Sequence, residues 1–162
     1  MKDKELFDKD SRAKYEFRDE NKAIFQTERG LSIDTIKTIS KIKNEPDFML
    51  DFRLKALDTF FKMKQPSFGP DLNFIDFQDY TYYTRVTDKI SSSWDEVPEE
   101  IKNTFDKLGI PQAEQKFLSG VTTQYESEAV YSNMLKEVED NKVIFLDTDT
   151  GLKMYPEIFK KY

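Results

Sequence analysis

The sequence predicts an α+β fold: helix-rich, with a long central helix, a helix–turn–helix pair and a small β-α-β element. Three observations predict it. Two consecutive amphipathic patterns fill residues 32–64, the second apolar around much of its circumference. Residues 98–120 carry the punctuation Pro98, Gly109, Pro111 and Gly120, which marks out two short helices. Apolar, β-branched or aromatic runs at 121–125, 129–131 and 143–146 have the length of strands.

Residues 1–14 are mostly charged and poor in anchors, so they predict a flexible tail, with the folded domain spanning 15–162. Tyr15, Phe17, Ile24 and Phe25 are the first side chains able to dock. After Gly30, Ser32 is placed to cap a helix and Asp34 sits in its first turn, where negative charge suits the helix dipole. Ile33, Ile36, Ile39 and Ile42 mark its slowly drifting apolar stripe. The long helix follows, with Asn44 as its expected cap, Pro46 near its start and its body running to about Lys64. Phe48, Phe52, Ala56, Phe60 and Met63 form one apolar line, widened by Met49, Leu50, Leu54, Leu57 and Phe61. Asp51, Lys55, Asp58 and Lys62 form the charged strip, in the favourable acid-before-base order four residues apart. That distribution predicts a central helix, covered everywhere except on the charged strip.

Residues 65–71 read as a loop, and 74–86 as strand, in part irregular. Ser93 and Glu96 have capping-box spacing. Val97, Ile101, Phe105 and Leu108 form the core face of the next helix, which Gly109 ends before apolar Ile110. Pro111 opens a second short helix carrying Ala113, Phe117 and Leu118, stopped by Gly120. Strands are expected at 121–125 and 129–131, and a helix at 133–140 with Met134, Leu135 and Val138 inward. A buried strand at 143–146 completes the β-α-β element, and short helical turns run to Tyr162.

The chain contains no histidine and no cysteine. Thiolate or imidazole metal sites, and nucleophilic centres built on either residue, are therefore excluded within it. Catalytic, cofactor-binding and metal-binding residues are all expected to be absent. A net charge of −6, with lysines scattered among acids, argues against nucleic-acid binding. No apolar run has the length of a membrane span and the first residues lack a signal-peptide core, which places the chain in the cytoplasm. With 14% aromatic residues it can build a core despite being 35% charged.

Local signals have bland readings that compete well. Asp147-Thr148-Asp149-Thr150-Gly151 invites a calcium loop, but the glycine stands fifth and Ile158 twelfth, where an EF-hand needs Gly sixth and Glu twelfth. A capped turn fits better. The carboxylate pairs Asp76/Asp79, Asp95/Glu96 and Glu99/Glu100 read as solvated surface. Arg53 reads as half of a structural ion pair. Tyr80, Tyr82, Tyr83 and Trp94 make the richest aromatic patch, either core packing or a partner-docking surface.

Longer stretches carry a resemblance. KNEPDFMLDFRLKAL (43–57), DYTYY (79–83), WDEVPEEIKNTFDKLGIPQAEQKFLSGV (94–121), QYESEAVY (124–131), VIFLDTDT (143–150) and YPEIFKKY (155–162) resemble, in order, the N-terminal part of the SufB/SufD family. These are scaffold proteins of the SUF iron–sulfur cluster assembly system, and the likeness is to the SufB type. It covers nearly everything from Tyr15 onward. The resemblance implies that a family member continues past the position of Tyr162. There it has a right-handed β-helix that pairs with SufD or a second SufB, and a C-terminal region that meets the SufC ATPase. The sulfur-accepting cysteine and the cluster ligands lie in that later part. This chain is thus expected to be a piece or truncated frame of such a protein.

The leading expectation is a noncatalytic accessory domain acting in complex assembly or partner docking. The full-length family protein would meet SufC, SufD and a sulfur donor, and would hold the iron–sulfur cluster. Two rivals stand beside it: a free-standing carboxylate enzyme, and a stand-alone adaptor that regulates the SUF complex.

Overall fold

The computed structural model describes residues 23–111, 118 and 120–162. The expected tail over 1–14, the early anchors Tyr15 and Phe17, and most of the second helix of the helix–turn–helix pair lie outside the described residues. Two compact units emerge, one of Ile24–Arg85 with Leu146–Tyr162, the other containing Val86–Phe145.

In the first unit, a short strand β1 (Phe25–Gln26) pairs antiparallel with β2 (Thr84–Arg85). Backbone bonds from Thr27 to Tyr83 (3.0 Å) and from Gly30 to Tyr80 (2.9 Å) extend the ribbon beyond the strands. Only two residues of the expected 74–86 strand are regular, and Phe77–Asp79 is a 3₁₀ turn. Gly30 sits at φ +101, and a Cβ there would lie 2.8 Å from the Gln78 amide oxygen that accepts the Leu31 N–H.

Helix α1 (Ile33–Lys43) starts as its sequence dictates, the Ser32 hydroxyl accepting the Thr35 N–H at 3.0 Å. Ile36 and Ile39 are buried, whereas Ile33 at the drifting end of the stripe is exposed. Asn44 does not cap the long helix. It closes α1 in the left-handed region at φ 50, with its N–H on the Lys41 carbonyl and the Glu45 N–H on that of Ser40. Asparagine tolerates that conformation, and the double closure satisfies carbonyls that the helix end leaves free. Helix α2 (Asp47–Lys62) is preceded by Pro46, with no side-chain cap.

The C-terminal segment supplies α5 (Thr148–Met154) and α6 (Pro156–Lys161) to the same unit. The Asp147 carboxylate accepts the Thr150 N–H at 3.0 Å, so the Asp-Thr-Asp-Thr-Gly run is a helix cap. Ile36, Ile39, Leu57, Tyr83 and Leu152 are the buried apolar side chains here.

The second unit holds helix α3 (Glu99–Lys107) and an antiparallel hairpin, β3 (Gly120–Tyr125) and β4 (Glu128–Met134). A 3₁₀ turn at Trp94–Glu96, capped by Ser93, leads into α3. Gly109 at φ +75 ends α3 with the same double closure, its N–H on Asp106 and that of Ile110 on Phe105. Leu108, expected inward, is exposed beside this closure. Val130 is the bulged residue of β4, because Gln124 pairs with Ala129 and Thr123 with Tyr131. The bulge breaks the alternation, so consecutive Val130 and Tyr131 are both buried. Ser91 bonds to Val130 and Ser132 (3.0 Å each). Trp94, Val97, Ile101, Val130 and Tyr131 form the core, with Phe105 and Tyr131 edge-on to the Trp94 ring at 5.8 and 5.4 Å.

The α+β class stands, but the β-α-β element does not. After the hairpin, α4 is one short helix (Lys136–Asp140), and Met134, expected on a helix, ends β4 instead. Leu135 is exposed, and 143–146 is irregular chain with all four side chains exposed. With no sheet neighbour on either side, that apolar run cannot form a buried strand.

Replacing Trp94 with Ala is expected to destabilise this unit by about 3–5 kcal/mol, because the Phe105 and Tyr131 rings lose their common contact. Leu108→Ala, at an exposed site, is expected to cost less than about 1 kcal/mol. Urea unfolding followed by far-ultraviolet circular dichroism reads both.

Candidate docking surface

Helix α2 is apolar on two sides. Leu50 and Leu54 are half-buried and Leu57 is buried on one side. On another, Phe52 (66% exposed), Ala56, Phe60 (37%) and Met63 (69%) face outward, and Phe61 beyond them is also exposed. The expectation that only the charged strip meets water is therefore corrected. The spacing of Phe52, Ala56, Phe60 and Met63 is that of one helical stripe, about 16 Å long. The charged strip lies beside it, with Asp58 and Lys62 paired at 2.6 Å. Leaving one such ring or thioether in water forgoes roughly 1.5–3 kcal/mol of burial.

Two hollows open along this stripe and share Phe60 and Met63. A cleft of about 440 Å³ lies between the end of α2 and the turn holding Ile75 and Phe77, whose ring meets Phe60 edge-on at 5.2 Å. A shallower hollow of about 370 Å³ runs back over Ala56 to Phe52, past Lys55 and Thr59. The one carboxylate lining either is Asp76, and it accepts the Gln78 N–H at 2.8 Å.

What turns this face outward is charge on the adjoining side. Arg53 donates to both oxygens of Glu45, from Nε at 2.8 Å and from an Nη at 2.6 Å. The Glu45 side chain is 2% exposed and that of Arg53 32%. The hydrogen bond to Glu45 raises the Arg53 pKa above its already high ordinary value; burial opposes this, and the charges of Glu45 and Asp149 add to it. Lys43 pairs with Asp149 of α5 and lies over the Tyr83 ring, 5.6 Å from its centre. The ion-pair reading of Arg53 is thus borne out, with Glu45 as the acid.

The four aromatic residues singled out in the sequence are placed differently from one another. Tyr83 is buried in the first unit and Trp94 in the core of the second, so neither offers a surface. Tyr82 is half-buried, its hydroxyl donating to the Phe77 carbonyl at 2.6 Å, and Tyr80 is exposed. The exposed face of α2 was not singled out. Its signal was present as apolar residues on more of the helix than one core can cover.

The carboxylate pairs lie on exposed positions with structural work. Asp76 caps the 3₁₀ turn and Asp79 pairs with Arg29. Glu99 lies 3.5 Å from Lys102. Among the described residues no three acidic side chains gather as a metal site would require. No helix among them is long and apolar enough to cross a membrane.

Comparison with known proteins bears out the family likeness. Over 149 residues, 92% of this chain, it is 56% identical to an iron–sulfur cluster assembly SufBD family protein of Staphylococcus aureus (strain USA300). It is 57% identical over the same span to the counterpart in Staphylococcus haemolyticus (strain JCSC1435). In each case the match covers 32% of the relative, so the chain spans about a third of their length. No family model and no solved structure matches.

Glu45→Gln removes the charge that a half-buried guanidinium needs, and is expected to cost about 2 kcal/mol, discounted for the solvent Arg53 still sees. Because the Arg53 pKa is raised, its contribution is complete below the ordinary arginine value and is lost only as pH rises through the higher folded one. The difference between wild type and Arg53→Met should therefore carry no arginine titration between pH 6 and 9 in urea melts.

Burial, followed by the nearby charges of Tyr80 and Asp76, raises the Tyr82 pKa above 10. Phenolate absorbance should show a late-titrating tyrosine that disappears in Tyr82→Phe. The stabilisation it gives is complete below pH 10 and is lost as pH rises through the folded value.

Proposed function

We propose that this chain is the N-terminal accessory lobe of a SufB-type scaffold protein, itself noncatalytic, serving complex assembly or partner docking in the SUF system. The similarity to SufBD assembly proteins over 92% of the chain carries the reading. With no cysteine or histidine, the lobe lacks the usual donors for an iron–sulfur cluster, which in this account is cargo of the longer protein. The lobe's own contribution is a surface: the outward stripe of α2, with its hollows, is shaped for association. SufC, SufD and a sulfur donor are the partners of the longer protein, in the cytoplasm. The carboxylate-enzyme reading has weaker support, since the acidic pairs are exposed and the hollows of α2 present a single, engaged carboxylate.

Two measurements test this. Immobilised chain offered purified SufC, SufD and sulfur donor is expected to retain SufD or the donor, and not SufC. Retention of none, or of SufC alone, contradicts the docking role. Titration with ferrous iron and sulfide is expected to leave no stoichiometric cluster absorbance, and a stable one would overturn the accessory reading.

A further inference from the structure

The segment after the exposed run 143–146 is joined to its unit through side chains. Among the described residues, the backbone bonds of 147–162 stay within the segment. The N–H groups of Gly151, Tyr155 and Ile158 reach the carbonyls of Asp147, Gly151 and Tyr155 at 2.9, 2.8 and 3.0 Å. Its two helices also pack on each other, the Phe159 ring lying over Gly151, where a Cβ would stand 3.4 Å from it. Two ties lead out of the segment: Asp149 pairs with Lys43 at the end of α1, and the Lys160 ammonium lies over the Phe48 ring of α2, 5.2 Å from its centre. Leu152 is the third anchor. It is 2% exposed, and helices of seven and six residues are too small to bury it between themselves.

We propose that 147–162 is a built-in ligand: it fills a helix-binding site on the first unit, and a partner's helix bearing an acid and, three residues on, a leucine takes its place. This site is separate from the outward stripe of α2, and the proposal does not rest on that stripe. Asp149 and Leu152 are three apart on α5, so a carboxylate and an apolar plug share one helix face. The site answers both. The Lys43 side chain is 11% exposed, and the charge of Asp149 acts on Arg53 of α2 as well. A neutral helix in this place would take the acid from a largely buried ammonium, and a polar residue at the Leu152 position would be buried without a partner. Exchange is open to the segment because it leaves without breaking a backbone bond to the rest of its unit, and an incoming helix restores the side-chain ties. The chain at 143–146 has no regular structure and all four side chains exposed, so it can follow. The segment competes with any partner, and weakens its binding by the fraction of time the site is filled.

Fluorescence anisotropy of a labelled peptide of residues 146–162, offered to the full chain, tests it. Asp149→Lys sets like charge against Lys43 at a side chain that is 28% exposed, and so loosens the chain's own segment. That variant is expected to bind the wild-type peptide roughly tenfold or more tighter than the wild-type chain does. A peptide carrying Leu152→Glu is expected not to bind. A Lys43→Asp chain should reverse the charge preference, taking an Asp149→Lys peptide over the wild-type one. Hydrogen exchange of the wild-type chain needs no substitution: the amides of 149–162 should exchange together, ahead of those of α1 and α2. Equal binding to wild type and Asp149→Lys, binding to neither, or a Lys43→Asp chain indifferent to the peptide's charge overturns the proposal. So does exchange of 149–162 in step with α1 and α2, which would mean that the segment leaves only when the unit unfolds.

Discussion

The bidentate bond between Arg53 and Glu45 sets the roll of α2 about its own axis. Glu45 is in the link between α1 and α2, and its buried carboxylate cannot be left without a cation. Arg53 reaches it only if its side of α2 turns toward the link. That rotation sends Leu57 inward and leaves Phe52, Ala56 and Met63 outside. A helix with apolar residues on several sides could otherwise settle in more than one rotation. The ion pair selects one, and the choice decides which surface the unit shows. Lys43 and Asp149 extend the same logic, tying the C-terminal helices to the end of α1.

The apolar stripe costs stability in water unless something covers it, and a helix serving only the core would carry polar residues there. Its organisation is more specific than an exposed greasy surface. Large apolar side chains stand toward its ends, small ones in the middle, and two hollows open along it. Such a surface suits the accessory role proposed above, in which the lobe helps to hold molecules together; the likeness to SufBD assembly proteins supports that proposal.

Features with short-range causes were legible in the sequence. Ser32 and Asp147 cap helices because a hydroxyl or carboxylate there meets an N–H three residues on. Gly109 ends α3 because only glycine takes its φ without strain. Arg53 was readable as an ion pair because a guanidinium on a crowded helix needs an acid. Features decided at long range were not. The run 143–146 has strand composition, but no neighbouring edge receives it. Asn44 can start a helix or end one, and the preceding helix claims it. The bulge at Val130 places two successive side chains in one core, which no alternation pattern encodes. Burial of Tyr83 and Trp94 beside exposed Tyr80 depends on partners dozens of residues away. For α2, apolar count alone did not say which side the core would take.

The most direct test of the central claim is hydroxyl-radical footprinting of α2, read residue by residue in dilute wild type and in Glu45→Gln. In wild type Phe52 and Met63 should oxidise fast and Leu57 slowly, and in Glu45→Gln the protection of Leu57 should fall. If Phe52 and Met63 are as slow as Leu57 in wild type, or if Glu45→Gln leaves the pattern unchanged, the account fails.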